Sequence, residues 1–412
     1  MNIKTPMARN TIYSAVSSTS NFLLVILTII AARVLGEKSF GHFALALALA
    51  SIFEKMTDLG LNTTTARNVA RDRNLARIYL PNILGWKALL SITAISLFAV
   101  TVKFLAHDPE ARTAAFIIGI GFTLQCFKAT SVAFFQAYER FDLILLVMYV
   151  ERVSILILGA LALFLTRKLI PFALVFTFGR IPDLVLSYWL IHRKITPFHV
   201  AFDREFVKKL QISAIPLGIY ALVFSGYWQI GTVILSAMRP AAEVGWYTAS
   251  YKMYEGLTMI PFLVSAVLLP RLSHLFATNR DRHTALSMQA IRYLSLGSIP
   301  LAITLGVLAP WIVRLLYGES YLPGVPVFRT LLCAVALMFV NWTLNTILIS
   351  ADREKSVLKV ISTGLLVIIT ANLIFVRRFG IMGPAYSVIV AESCVFTLLF
   401  VTARRALFRS SK

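Results

Sequence analysis

The sequence predicts an all-α polytopic membrane protein: twelve transmembrane helices in two six-helix lobes around a central cavity, with both termini cytoplasmic. Three observations carry that prediction. Of 412 residues, 58% belong to the apolar set AVILMFWYC, and the mean hydropathy is +0.77. Only 14% are charged, where a soluble domain carries about a quarter. The apolar residues also fall in continuous runs of roughly 20, the length a helix needs to cross a bilayer. This composition excludes a soluble globular enzyme, a disordered chain and a disulfide scaffold.

In chain order the runs occupy residues 11–32, 42–60, 82–102, 113–135, 143–165, 170–191, 212–236, 244–269, 290–313, 327–349, 357–376 and 381–403. They lack the polar alternation that a barrel lumen imposes, so they are helices rather than strands. The first run is too long for a signal core and is expected to remain as a span. Gly36 and Gly41 precede the second span, Pro171 opens the sixth, Pro216 the seventh, and Gly380, Gly383 and Pro384 the twelfth. Pro261 and Pro300 fall inside spans, where the lost backbone hydrogen bond permits a bend.

Charge sets the orientation. The chain carries 40 Lys plus Arg against 19 Asp plus Glu, a net +21. In a soluble chain that balance would suggest nucleic acid; here the basic residues punctuate apolar runs and read as topology signals. Connections on the N-terminal side hold 21 Lys and Arg, and those on the opposite side hold 10. The excess places both termini in the cytoplasm. No outer connection is much longer than about a dozen residues, which leaves no extracytoplasmic domain. No Walker-type glycine loop is present, so the expected energy source is an ion gradient, the membrane potential or the substrate gradient. Cys126, Cys333 and Cys394 lie in apolar stretches without ligand or redox spacing. No disulfide, metal, cofactor or nucleic-acid partner is expected.

The connection 192–211 divides the chain into a first lobe, 1–191, and a second lobe, 212–412, ending in a short basic tail. A shift of 204 residues lays Gly41-His42-Phe43 on Gly245-Trp246-Tyr247 and Arg67 on Arg271. The basic loops share an Arg-Asp-Arg triplet, at Arg71–Arg73 and Arg280–Arg282. Equal topology in both halves fits parallel repeats about an axis along the membrane normal.

Arg9 and Asn10 precede a Ser/Asn-rich first span, followed by Ala32-Arg33-Val34-Leu35-Gly36 and Phe40-Gly41. Asp58-Leu59-Gly60-Leu61, Arg67-Asn68-Val69-Ala70 and, late in the chain, Gly380-Ile381-Met382-Gly383-Pro384-Ala385 complete a set. In order and spacing this set resembles the polysaccharide, or O-antigen, flippases (Wzx-type) of the multidrug/oligosaccharidyl-lipid/polysaccharide exporter superfamily. The resemblance implies movement of an undecaprenyl-diphosphate-linked oligosaccharide across the bacterial inner membrane by alternating access. Its implied partners are that lipid-linked oligosaccharide, the bilayer, and a polysaccharide polymerase with chain-length proteins. Multidrug exporters share the fold, so fold alone leaves the substrate open.

A charge at bilayer depth costs a few kcal/mol or more. Arg152, Arg180, Lys252 and Lys128 are the candidate cations for a diphosphate, which calls for fixed positive charge and many donors. Arg180 with Asp183, and Lys252 with Glu255, stand three apart and can neutralise each other on one helix face. Arg152 has only its chain neighbour Glu151, and Lys128 has no acid within four residues. Lys87, Lys55 and Arg329 lie near span ends and are expected to snorkel.

Polar and aromatic groups suited to sugars are Asn21 on the first span, Tyr220, Trp228 and Gln229 on the seventh, Tyr251 on the eighth, and Asn341 and Asn345 on the tenth. The same groups also serve as interhelical glue or interfacial belts. Glu392, in mid-span with no basic residue within four positions, is a candidate for ion coupling beside Asp183 and Glu255. A salt bridge to another helix is the competing expectation for it.

Two other readings compete with the flippase. An ion-coupled exporter of cationic drugs on the same fold calls for acidic rather than basic groups at depth. A polysaccharide polymerase calls for a large outer loop or a carboxylate cluster at one face. The sequence displays neither pattern.

Overall fold

The computed structural model describes residues 21–197 and 201–408, with side chains described for 22–197 and 201–405. Among the described residues there is no strand. The chain groups into two compact units, Met1–Ser225 and Gly226–Lys412. The first holds α1 (Asn21–Asp58), α2 (Leu61–Arg71), α3 (Ala76–Leu105), α4 (Pro109–Ala137), α5 (Phe141–Thr166), α6 (Leu169–Phe178), α7 (Ile181–Lys194) and the opening of α8 (Arg204–Met238). The second holds the rest of α8, then α9 (Ala241–Leu257), α10 (Met259–Thr278), α11 (Arg280–Leu316), α12 (Val325–Cys333), α13 (Val335–Ser350), α14 (Glu354–Phe379) and α15 (Gly383–Phe408).

Among the described residues, eight helical stretches are long and apolar enough to cross a membrane, or nine if the bent pair α12 and α13 forms one span. That tally runs α14 and α15 together as Glu354–Arg405, although the chain reverses between them at Gly380–Met382. The start of the first expected span lies outside the described residues. Three expected spans are broken, among them the tenth, which bends at Ala334 between α12 and α13. The sixth stops at Phe178 and restarts at Ile181, leaving Gly179 and Arg180 between α6 and α7. The eighth breaks at Thr258, between α9 and α10. The first and second are read as one helix, kinked at Gly36 (φ 76).

Many large apolar side chains are exposed. Phe104, Ile157, Leu165 and Val185 in the first unit, and Ile303, Val307, Trp311 and Leu315 in the second, all turn outward. This inverts the pattern of a water-soluble protein and is the face a helix offers to lipid. Inside the first unit, Leu61, Tyr79, Leu80, Phe134, Phe135, Val147, Ile191 and Leu210 make one packed apolar cluster. It joins α2, the start of α3, the end of α4, the start of α5 and the end of α7 to the start of α8.

The Asp58-Leu59-Gly60-Leu61 motif acquires a physical reason at that join. Gly60 has φ 83, and a Cβ there would lie 2.3 Å from the Ala214 carbonyl oxygen of α8. A Cβ on Gly218 would lie 2.3 Å from the Leu59 carbonyl carbon. Two backbones thus touch where neither tolerates a side chain. Polar ties fix the register: Gln211 Nε2 donates to the Leu59 carbonyl at 3.3 Å, and Trp86 Nε1 donates to Gln211 Oε1 at 2.8 Å. Asp203 starts α8 by accepting the backbone N–H groups of Glu205 (2.9 Å) and Phe206 (3.1 Å).

Gly60→Ala and Gly218→Ala are each expected to cost about 1–3 kcal/mol through overpacking. Gly256→Ala, where an added Cβ meets nothing within 4 Å, should leave stability unchanged or slightly raised. Thermal unfolding of the detergent-solubilised protein measures all three.

Candidate functional site

The first unit gathers its deep cations on one carboxylate. Glu151, mid-way along α5, is completely buried. Lys128 of α4 donates its ammonium to Glu151 Oε2. Arg152 Nη1 donates to Oε1 at 3.2 Å, and Arg180 Nε stands 3.7 Å from the same oxygen. The side chains of Lys128, Arg152 and Arg180 are buried too. Arg180 occupies the break between α6 and α7, which frees its side chain from helical register. Its Nη1 reaches the Gly121 carbonyl at 3.4 Å, and its guanidinium lies 4.9 Å from the Phe176 ring and 5.4 Å from that of Phe122. Rings stacked on a guanidinium hold its plane while leaving edge N–H groups for an anion.

Asp183 follows in the first turn of α7, 1% exposed, and neither carboxylate oxygen has a hydrogen-bond partner. The expected pair with Arg180 is not formed, because Glu151 takes that guanidinium. Adjacent residues on a helix point apart, yet Arg152 meets Glu151, its flexible side chain bridging the difference. The partner of Lys128 comes from the next helix, where sequence spacing carries no signal.

Lys87 corrects another expectation. Instead of snorkelling it is fully buried, with Nζ 3.0 Å from Asp58 Oδ1, 2.7 Å from Asn62 Oδ1 and 2.8 Å from Thr130 Oγ1. One ammonium thereby ties α1, α2, α3 and α4 together. Between this tie and the Glu151 cluster, α1, α3 and α4 enclose a partly open cleft lined by Glu54, Thr57, Phe98, Phe122 and Thr123. Phe122 therefore contributes to the cleft wall as well as to the Arg180 cage.

The second unit uses different chemistry. Glu392 of α15 is 5% exposed; it accepts Tyr227 Oη–H at 2.9 Å and Asn341 Nδ2–H at 2.6 Å. Its partners are neutral donors, so the expected interhelical salt bridge is replaced by hydrogen bonds. Around it, Tyr251 packs between Trp228, Tyr247 and Tyr254 at ring separations of 5.5–6.3 Å. The Oδ1 atoms of Asn341 and Asn345 and the Tyr254 hydroxyl are buried without partners. Lys252 pairs with Glu255 at 2.6 Å, as their spacing predicts, and both side chains stay about one-third exposed. Tyr220 belongs to the first unit and stacks on Phe224 at 6.1 Å. Gln229 lies on α8 in the second unit, half-buried. The Asn21 side chain lies outside the described residues.

Long kinked helices, a break at the buried Arg180 and an apolar exterior mark a multi-pass membrane protein, and comparison with known proteins extends the description. The family profile described as "Polysaccharide biosynthesis protein" matches residues 7–276, and the chain belongs to that family. It is 25% identical, over 97% of both chains, to a protein of Escherichia coli (strain K12) named "Putative O-antigen transporter". Among solved structures, an inward-facing multidrug resistance MATE family transporter of the MOP superfamily superposes with a TM-score of 0.81 at 15% identity, covering 95% of this chain and 96% of the other. The lipid II flippase MurJ, in an inward closed conformation, gives 0.79 at 14% identity, covering 96% and 87%. The fold is that of the MOP-superfamily transporters.

Asn341→Leu removes the shorter of the two donors to Glu392 and is expected to lower stability by about 1–3 kcal/mol, the cost of a buried acceptor left short of a partner. Adding Glu392→Gln, which supplies its own donor, should recover part of that loss in thermal unfolding.

Proposed function

We propose that this protein is a flippase that carries an undecaprenyl-diphosphate-linked oligosaccharide, the repeat unit of an O-antigen or other surface polysaccharide, across the bacterial inner membrane. It is a twelve-span transporter with cytoplasmic termini, working by alternating access; it is not an enzyme. Its family and the name of its Escherichia coli relative support polysaccharide-linked cargo. The observation that carries the reading is the meeting of Lys128, Arg152 and Arg180 on the single carboxylate of Glu151. Three cations around Glu151, with Asp183 the second acid nearby, leave positive charge to spare in the protein interior, where a diphosphate needs compensation and a cationic drug does not.

In this reading Lys128, Arg152 and Arg180 receive the diphosphate, with Lys252 assisting from the second lobe. The sugars meet hydroxyl and amide donors and aromatic faces, for which Asn21, Tyr220, Trp228, Gln229, Tyr251, Asn341 and Asn345 are the candidates. Glu392, Asp183 and Glu255 are the carboxyl groups available for ion coupling. A polymerase and chain-length proteins take the cargo onward.

Lys128→Ala and Arg180→Ala each remove a charged donor, worth about 1.5–3 kcal/mol of phosphate binding. Transport should fall roughly tenfold or more, with lipid-linked oligosaccharide accumulating on the cytoplasmic leaflet at normal protein level. Arg140→Ala, which breaks an exposed pair with Asp142, should leave transport unchanged. Wild-type surface glycan in both cluster variants would remove the cations from the mechanism.

A further inference from the structure

A buried ion pair ordinarily closes one to one. Glu151 instead faces three cations brought by α4, α5 and the α6–α7 break, two of them on its Oε1. Among the described residues, the second carboxyl in the neighbourhood, that of Asp183, forms no ion pair with them, and its carboxylate oxygens have no hydrogen-bond partner. Internal neutralisation alone would share the cations between the two acids. The observed convergence places all three around one small pair of oxygens, with the Arg180 guanidinium carbon over the Phe122 and Phe176 rings. Arg180 Nε, buried and 3.7 Å from Oε1, is close enough to attract but makes no hydrogen bond. A diphosphate linked at both ends carries two negative charges and four non-bridging oxygens against one charge and two oxygens on a carboxylate, so it satisfies this set of donors better than Glu151 does.

We propose that Glu151 is a positioning residue that stands in for the substrate phosphate. It keeps Lys128, Arg152 and Arg180 converged while the site is empty, gives them up when a phosphate arrives, and takes them back to help expel it. The inference builds on the flippase reading above and adds a competitor to it. Without the Glu151 charge the three cations repel one another, and an external anion meets no internal competitor for the place its carboxylate held.

The test is Glu151→Gln, a near-isosteric change that removes only the charge. Purified in detergent, wild type and variant are titrated with inorganic pyrophosphate at constant ionic strength, with thermal unfolding as the readout. The expected result is an apparent Kd at least tenfold lower for Glu151→Gln than for wild type. Glu151→Asp, which keeps the charge, should return the wild-type response. In transport assays Glu151→Gln should lower KM while also lowering kcat, a split that simple loss of packing does not produce. Should Glu151→Gln fold only with pyrophosphate present, the inference is supported. Should it bind pyrophosphate no more tightly than wild type, or fail to fold even with pyrophosphate, the inference is overturned. Loss of transport in Arg180→Ala alongside an unresponsive Glu151→Gln would sink the stand-in role alone. Unaffected transport in Arg180→Ala and Lys128→Ala would sink the flippase site itself.

Discussion

A charge taken into a bilayer must find its counter-charge inside the protein, and the first unit is arranged around that constraint. Lys87 and the three cations on Glu151 are each buried in the protein, and each ends within 4 Å of a carboxylate supplied by the same unit. Buried pairs of this kind contribute little net stability, because desolvation offsets most of the attraction. Their value is positional. Helices in lipid gain nothing from hydrophobic burial against one another, so packing and polar ties decide which helices meet and in what register. Lys87 serves that purpose with its four-helix tie. The Glu151 cluster has a further property: its charges do not balance.

That imbalance separates the two units chemically. The second unit encloses Glu392 with two neutral donors, amid a stack of tyrosines and a tryptophan. Among the described residues its Asn341 and Asn345 amide oxygens and the Tyr254 hydroxyl have no hydrogen-bond partner. The interiors of the two units therefore differ in chemistry as well as in charge.

Much of the fold was legible because lipid acts as a severe filter on sequence. Apolar runs of bilayer length stand out in the chain, and the glycines at 36 and 380 mark places where the helices kink or reverse. What was hidden depends on contacts between helices. Lys128 has no acid nearby in sequence, yet Glu151 lies beside it in space. Lys87, only a few residues into its span, gives no local sign that Asp58, Asn62 and Thr130 wait to receive it. The spacing of Arg180 and Asp183 suggested a pair; the break at Gly179 and the pull of Glu151 overrode it. Lys252 and Glu255, with no competing partner, met as their spacing implied. Gly60 was recognisable as part of a motif, but its cause became visible only when Gly218 of α8 was found against Leu59.

These successes and failures share a physical origin. Local spacing predicts a side-chain pair when both residues sit on one unbroken helix and nothing stronger lies across the interface. A fully buried carboxylate is stronger: it draws cations from three elements and strips Asp183 of its nearest partner. The long-range electrostatics of a low-dielectric interior therefore outrank the i, i+3 rule. A membrane protein with several buried charges of one sign will organise them around whichever counter-ion is deepest. Here that counter-ion is Glu151, and its position on α5 decides where the spare positive charge of the first unit is concentrated.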